Sequence, residues 1–217
     1  MIESFFSLQL FTLVVMTLSL VGMHVVRKYS VLVAGYVLQS VCLTVLLGIE
    51  LYHHFTWSLL AITFVMFVIK VIIAPKAFSR LITQGHLNLI RAYLSVPLTL
   101  CVIFALFAFA RSDALSPIAT LLQVPVEIRT MLLGNMFMAI FLIINRTGAL
   151  AQVLGVLSLE NAIFTLGIFL HIKQLLSLEL GILFNLLFWI IASVLFIKLL
   201  YQKFGSFDVR KLNQLKK

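Results

Sequence analysis

Two ionisable residues stand inside long apolar runs of this chain, and both are of types that move protons. The first is Glu160, in the stretch "LGVLSLENAIFTLG" from Leu154 to Gly167. The other six acids, Glu3, Glu50, Asp113, Glu127, Glu179 and Asp208, fall at run ends or in connections. The run around Glu160 is centred near residue 159, so at a rise of about 1.5 Å per residue the carboxyl lies within about 2 Å of mid-run. A charge at the centre of a bilayer costs on the order of several kcal/mol, and acids kept there mark proton or ion paths by default. The alternative is a permanently protonated acid that makes one interhelical hydrogen bond.

The second residue is Lys70, in "FVIKVIIAPKAF", three residues past the centre of its run. A lysine can snorkel, but the run end near Lys76 is about 9–10 Å away along a helix axis, at the edge of its reach. Pro75 follows five residues later and cannot donate to the carbonyl of Val71, which leaves an acceptor free beside Lys70. A cation next to a broken backbone ladder suits a proton or ion path; the alternative is a snorkelling lysine. Glu160 and Lys70 are therefore the proton-transfer candidates. Asn161, Asn185 and Gln39 are candidates for a polar path or for helix–helix hydrogen bonds worth about 0.6 kcal/mol each. No catalytic set is visible, and neither is a metal or cofactor site. His24, His53, His54, His86 and His171 all lie near run ends, and Cys42 and Cys101 stand in different runs with no CxxC.

The elements that must position these groups are helices in a membrane. Of 217 residues, 63% are hydrophobic and 11% charged, with a mean hydropathy of +1.17. A soluble domain is about half apolar and one quarter charged. Seven apolar runs can be marked at 4–26, 31–51, 56–78, 89–110, 126–144, 148–170 and 179–201, each approaching the ~20 residues that span a bilayer. Backbone in lipid must bond internally, so each run is expected to be a helix, and the fold class to be all-α with about seven spans. The opening residues carry no basic n-region, and the first run is expected to stay as an anchor.

Charge orients the runs. Arg27, Lys28, Lys76, Arg80, Arg91, Arg146, Lys198, Lys203, Arg210, Lys211, Lys216 and Lys217 fall on one side, against Arg111, Arg129 and Lys173 on the other. The positive-inside rule then puts the N-terminus outside and the C-terminus in the cytoplasm. The net charge of +9 thus reads as topology and not as nucleic-acid binding. Four parts follow: a four-helix block at 1–111, a connection at 112–125, a three-helix block at 126–203 and a basic tail at 204–217. On the sixth run, Ala151, Gly155, Ser158 and Ala162 make one stripe of small residues for close helix approach. Glu160 lies on another stripe with Val153, Val156, Phe164 and Gly167.

From about Tyr29 to its end the chain resembles component E of hydrogenase-4, a membrane subunit of formate hydrogenlyase-type complexes. The segments are "GYVLQS", "IKVIIAP", "INRTGALAQVLGVLSLEN", "LELGILFN" and "KFGSFDVRKL". The last three runs are also similar to subunit K of respiratory complex I, whose middle-helix acid belongs to a lateral proton route; Glu160 is the matching position. The chain departs from both. Component E has a carboxylate where this chain has Asn185, and subunit K has a second glutamate in its last helix where this chain has none. A second acid on the route would have to come from a neighbouring subunit.

The resemblance implies an accessory inner-membrane subunit packed beside antiporter-like subunits of a hydrogenase or complex I-like assembly; it does not imply that this chain holds nickel, iron or quinone, and no cofactor is expected. A stand-alone ion or small-molecule transporter and an inert assembly subunit are the competing readings. The transporter would need more buried polar groups at mid-depth.

Overall fold

The computed structural model describes residues 2–84, 89–115, 122 and 124–170, with three further helical positions at Ile191, Leu195 and Leu199. Most of the seventh run, including Asn185, and the tail at 204–217 lie outside the described residues.

Among the described residues the chain is all helical and has no strand. The helices are α1 (Ile2–Val25), α2 (Tyr29–His53), α3 (Trp57–Phe67), α4 (Ala74–Gln84), α5 (Val96–Arg111), α6 (Val126–Asn145) and α7 (Ala149–Phe169). Five stretches are long and apolar enough to cross a membrane: Ser7–Val25, Tyr29–His53, Trp57–Thr83, Val126–Asn145 and Ala149–Phe169. The protein is a multi-pass membrane protein by that measure.

The third stretch is one continuous helix in three segments, α, π and α again. Thr56 caps its start, with its side-chain oxygen accepting from the Leu59 N–H at 3.2 Å. Between α3 and α4 the chain winds as a π-helix over Val68–Ile73, and the Ala74 N–H bonds back to the carbonyl of Ile69. The cause is Pro75. It has no N–H for the Val71 carbonyl and its ring crowds that group, so the ladder widens to five-residue spacing just ahead of it. The helix continues to Gln84, well past the expected end at residue 78, which places Lys70 at the midpoint of the apolar stretch Trp57–Thr83.

The fourth run differs from expectation at its start. Residues 89–95 are not helical, and α5 begins at Val96 with Pro97 in its first turn. A proline is tolerated in a first turn, where its missing N–H has no intrahelical partner to lose. Leu89 and Ala92 form isolated bridges to Lys28 and Arg146 instead. The remaining helix has 16 residues, about 24 Å at 1.5 Å per residue, short of a ~30 Å hydrocarbon core.

One core joins these helices. Tyr36, Leu43 and Leu46 of α2 meet Met138 and Leu142 of α6, Leu150, Leu154 and Leu157 of α7, and Met66 and Phe78 of the third stretch. The packing thus runs across both sides of the 112–125 connection. The small stripe of α7 is buried as expected: Ala151, Gly155, Ser158 and Ala162 are all inside. At Gly155 a Cβ would come within 2.8 Å of Ile143 Cγ1 and 3.1 Å of its backbone nitrogen. Glycine lets α6 and α7 approach that closely.

Candidate functional site

Lys70 and Glu160 come together. The Lys70 ammonium lies 3.7 Å from Glu160 Oε2. It donates a hydrogen bond of 2.7 Å to Asn161 Oδ1 and sits 5.0 Å from the centre of the Phe164 ring. Lys70 is turned inward and does not snorkel. Two features of the chain make this possible. The π segment carries Lys70 on its inner side, where Ile69 and Lys70 are its buried residues. On α7, Glu160, Asn161 and Phe164 occupy adjacent positions and the next turn, so one lysine reaches all three.

Exposure separates the two charges. The Lys70 side chain is 1% accessible and the Glu160 side chain 18%. Lysine is sealed in the bundle, whereas the carboxyl stands at its edge, one residue past the midpoint of α7. Taking a lysine and a carboxylate out of water costs several kcal/mol per ion, which mutual attraction offsets only when further hydrogen bonds complete the site. Asn161 supplies the main one. Its amide donates in turn to Ser40 Oγ at 3.3 Å, and Ser40 Oγ donates to the carbonyl of Tyr36 at 3.0 Å. Thr165 Oγ1 donates to the Asn161 carbonyl at 2.8 Å. Lys70, Asn161 and Ser40 therefore form a chain of polar groups from the third stretch through α7 to α2.

Gln39 is fully buried beside this chain on α2, and its amide donates to Met23 Sδ at 3.2 Å. Its Oε1, the Tyr36 hydroxyl and Glu160 Oε1 are buried oxygens with no hydrogen-bond partner among the described residues. Polar atoms left this way suit ordered water, which typically bridges about three such groups. Asn185 lies outside the described residues.

A second polar cluster escaped sequence reasoning. Arg146 reads in the sequence as a topology charge in a connection, yet it is 1% exposed. Its guanidinium donates to the carbonyls of Met23 at 2.5 Å and His24 at 2.7 Å. These are last-turn carbonyls of α1 that have no partner in their own helix. Burial lowers the Arg146 pKa, from so high a start that the group stays charged. Around it, the Tyr93 N–H bonds the Asn145 carbonyl at 2.9 Å and the Leu94 N–H bonds the Asn145 side chain at 3.0 Å. Ile90 N–H donates to the Arg27 carbonyl at 2.7 Å. His24 is also inside, stacked on Phe141 at 5.0 Å and bonded through Nε2 to the Met138 carbonyl at 3.0 Å. Three connections are thus tied into a knot at one end of the bundle. The signal in the sequence was the pairing of Asn145 with Arg146 at a helix end, which composition alone does not separate from an exposed loop.

Among the described residues no group of three or more metal-ligating side chains comes together. The groups gathered at Lys70 are proton donors, acceptors and an ion pair. Compared with protein-family models, curated proteins and solved structures, the chain matches none.

Proposed function

We propose that this chain is an accessory membrane subunit of a hydrogenase-4 or complex I-like redox assembly in the cell inner membrane. In this reading it passes protons laterally through Glu160 and Lys70. The observation that carries it is the Lys70–Glu160 pair, 3.7 Å apart at the midpoints of two apolar helices. A pair of titratable groups at that depth is costly, which marks it as a functional-site candidate. The π segment under Lys70 supports the same reading, because such bulges are frequent at functional sites.

The two groups divide the work. Glu160, at the bundle's edge, takes the proton from a partner or from water; Lys70 gives an ammonium proton to water on its inner side and is then reprotonated by Glu160. Asn161 holds the ammonium in place when the carboxyl is neutral. Tyr36 and Gln39 offer oxygens for a water file on the α2 side. The partners are antiporter-like subunits, one of which supplies the second acid that this chain lacks. Seven spans with the N-terminus outside fit the twelve-to-three division of basic residues. Arg27, Lys28, Arg91 and Arg146 gather at one end of the described helices, and Arg111 at the far end of α5.

Glu160→Gln tests the reading, because glutamine keeps a hydrogen bond but cannot titrate. The complex is purified from its native membrane, and proton uptake is measured in vesicles driven by its own redox reaction. Uptake is expected to fall while expression and assembly persist, and Glu160→Asp should keep part of it. Full uptake in Glu160→Gln removes the carrier role.

A further inference from the structure

The knot around Arg146 encloses a cavity of about 470 Å³. Its polar lining is His24, Arg27, Arg91, Ser95, Thr99 and Arg146, and no acid is among the described residues that line it. Three guanidinium groups without a carboxylate are an unbalanced charge. Arg146 makes this acute because it is buried. Two carbonyls that form the negative end of α1 compensate part of its charge, but a desolvated cation still favours an anion nearby. Two nitrogens of the lining are also unfinished. Arg146 Nε and His24 Nδ1 are buried and have no hydrogen-bond partner. His24 Nε2 must be the donor to the Met138 carbonyl, so in the neutral ring Nδ1 is an acceptor that suits a hydroxyl.

The surroundings say which anion. The cavity lies between the end of α1, the 89–95 segment, the start of α5 and Arg146 just past α6, and its walls include Leu89 and Tyr93, which are 70% and 59% exposed. From there Leu100 and Phe104 continue along α5 at four-residue spacing from Val96, which lines the cavity, and both are exposed. A headgroup in the cavity would therefore run on into an apolar track of acyl-chain character. A free phosphate would use the arginines but not the track. A basic pocket between helices at a membrane end, with an apolar exit, is the physical description of a lipid headgroup site.

We infer that this cavity binds the headgroup of an anionic phospholipid. Arg27, Arg91 and Arg146 neutralise its phosphate, and the exposed face of α5 takes its chains. The lipid completes the charge balance of the knot that ties α1 to α6.

The test uses the whole chain extracted in mild detergent from vesicles of phosphatidylglycerol and phosphatidylcholine, with retained lipid counted by native mass spectrometry. Arg27 and Arg91 are exposed, so Arg27→Gln with Arg91→Gln should fold. This double variant is expected to lose about tenfold or more of its retained phosphatidylglycerol. Lys76→Gln with Arg80→Gln removes two cations from the outward side of α4 and should leave retention unchanged. In parallel, phosphatidylglycerol should raise the thermal midpoint of the delipidated protein, whereas phosphatidylcholine and inorganic phosphate should not. Equal loss in both double variants, or no loss in either, overturns the site. Stabilisation by inorganic phosphate alone overturns the lipid and leaves a simple anion site.

Discussion

At the scale of single residues, the consequence of the Lys70–Glu160 pair is energetic coupling. Removing one member leaves the other as a buried charge with fewer partners, whereas removing both leaves none. Lys70→Met and Glu160→Gln are each expected to lower the thermal midpoint of the solubilised protein. The double variant should cost less than the sum, with a coupling of about 1 kcal/mol or more. Strict additivity would mean that the pair is not ionised at rest, and the relay would then begin from two neutral groups. Lys70, Glu160 and Asn161 were legible in the sequence because each interrupts an apolar run. Their mutual contact was not, because 91 residues separate Lys70 from Asn161 and no periodicity relates two different helices. Ser40 was not legible either. A serine can satisfy itself on its own helix, and this one does so through the Tyr36 carbonyl while also accepting from Asn161.

At the scale of elements, two local irregularities decide where side chains point. Pro75 announces itself in the sequence, and its effect on the Val71 carbonyl follows from the ring alone. The form of the repair, a widened register over Val68–Ile73, was not predictable, since a water or a kink could equally have served. The start of α5 illustrates the opposite case. "LNLIRAYLSVPL" reads as apolar enough for a helix, but its backbone groups find better partners in Arg27, Asn145 and Arg146. Pro97 then sets the helix start. The close approach of α6 and α7 gives a direct prediction. Gly155→Leu forces a side chain against the Ile143 backbone and should destabilise the protein by about 1–3 kcal/mol. Gly22, where an added Cβ meets nothing within 4 Å, is the comparison: Gly22→Ala should be neutral or stabilising by up to about 1 kcal/mol. Thermal midpoints of the two variants check this, and equal effects would remove the packing argument.

At the scale of the molecule, the distribution of basic residues and the arrangement of helix ends make one joint prediction. Arg27 and Arg111 are both exposed, at opposite ends of the described bundle. In a background with Cys42→Ala and Cys101→Ala, a cysteine at position 27 should react with an impermeant reagent only from the cytoplasmic face. One at position 111 should react only from the opposite face. Labelling of both from one side would break the alternating arrangement. That the chain is helical and crosses a membrane several times was the most legible property, because hydropathy over ~20 residues directly reports the solvent a helix needs. Burial of Arg146 was the least legible. A basic residue between two spans obeys the positive-inside rule whether it faces water or closes an interior.

That burial also bears on the order in which the chain is built. Spans enter the bilayer in sequence, and contacts between distant segments form late because they must first close the intervening chain. The guanidinium of Arg146 reaches back 123 residues to Met23 and 122 to His24. When the first two helices have inserted, the terminal carbonyls of α1 must stay hydrated at the interface, since their donor has not yet been synthesised. The latch closes only once α6 is in place and its end can swing under the 89–95 segment. A nascent chain arrested before residue 146 would hold its first helices in the membrane with that end still wet. A chain released before residue 146 therefore differs from the finished protein at that end of α1, whose last carbonyls lack their guanidinium.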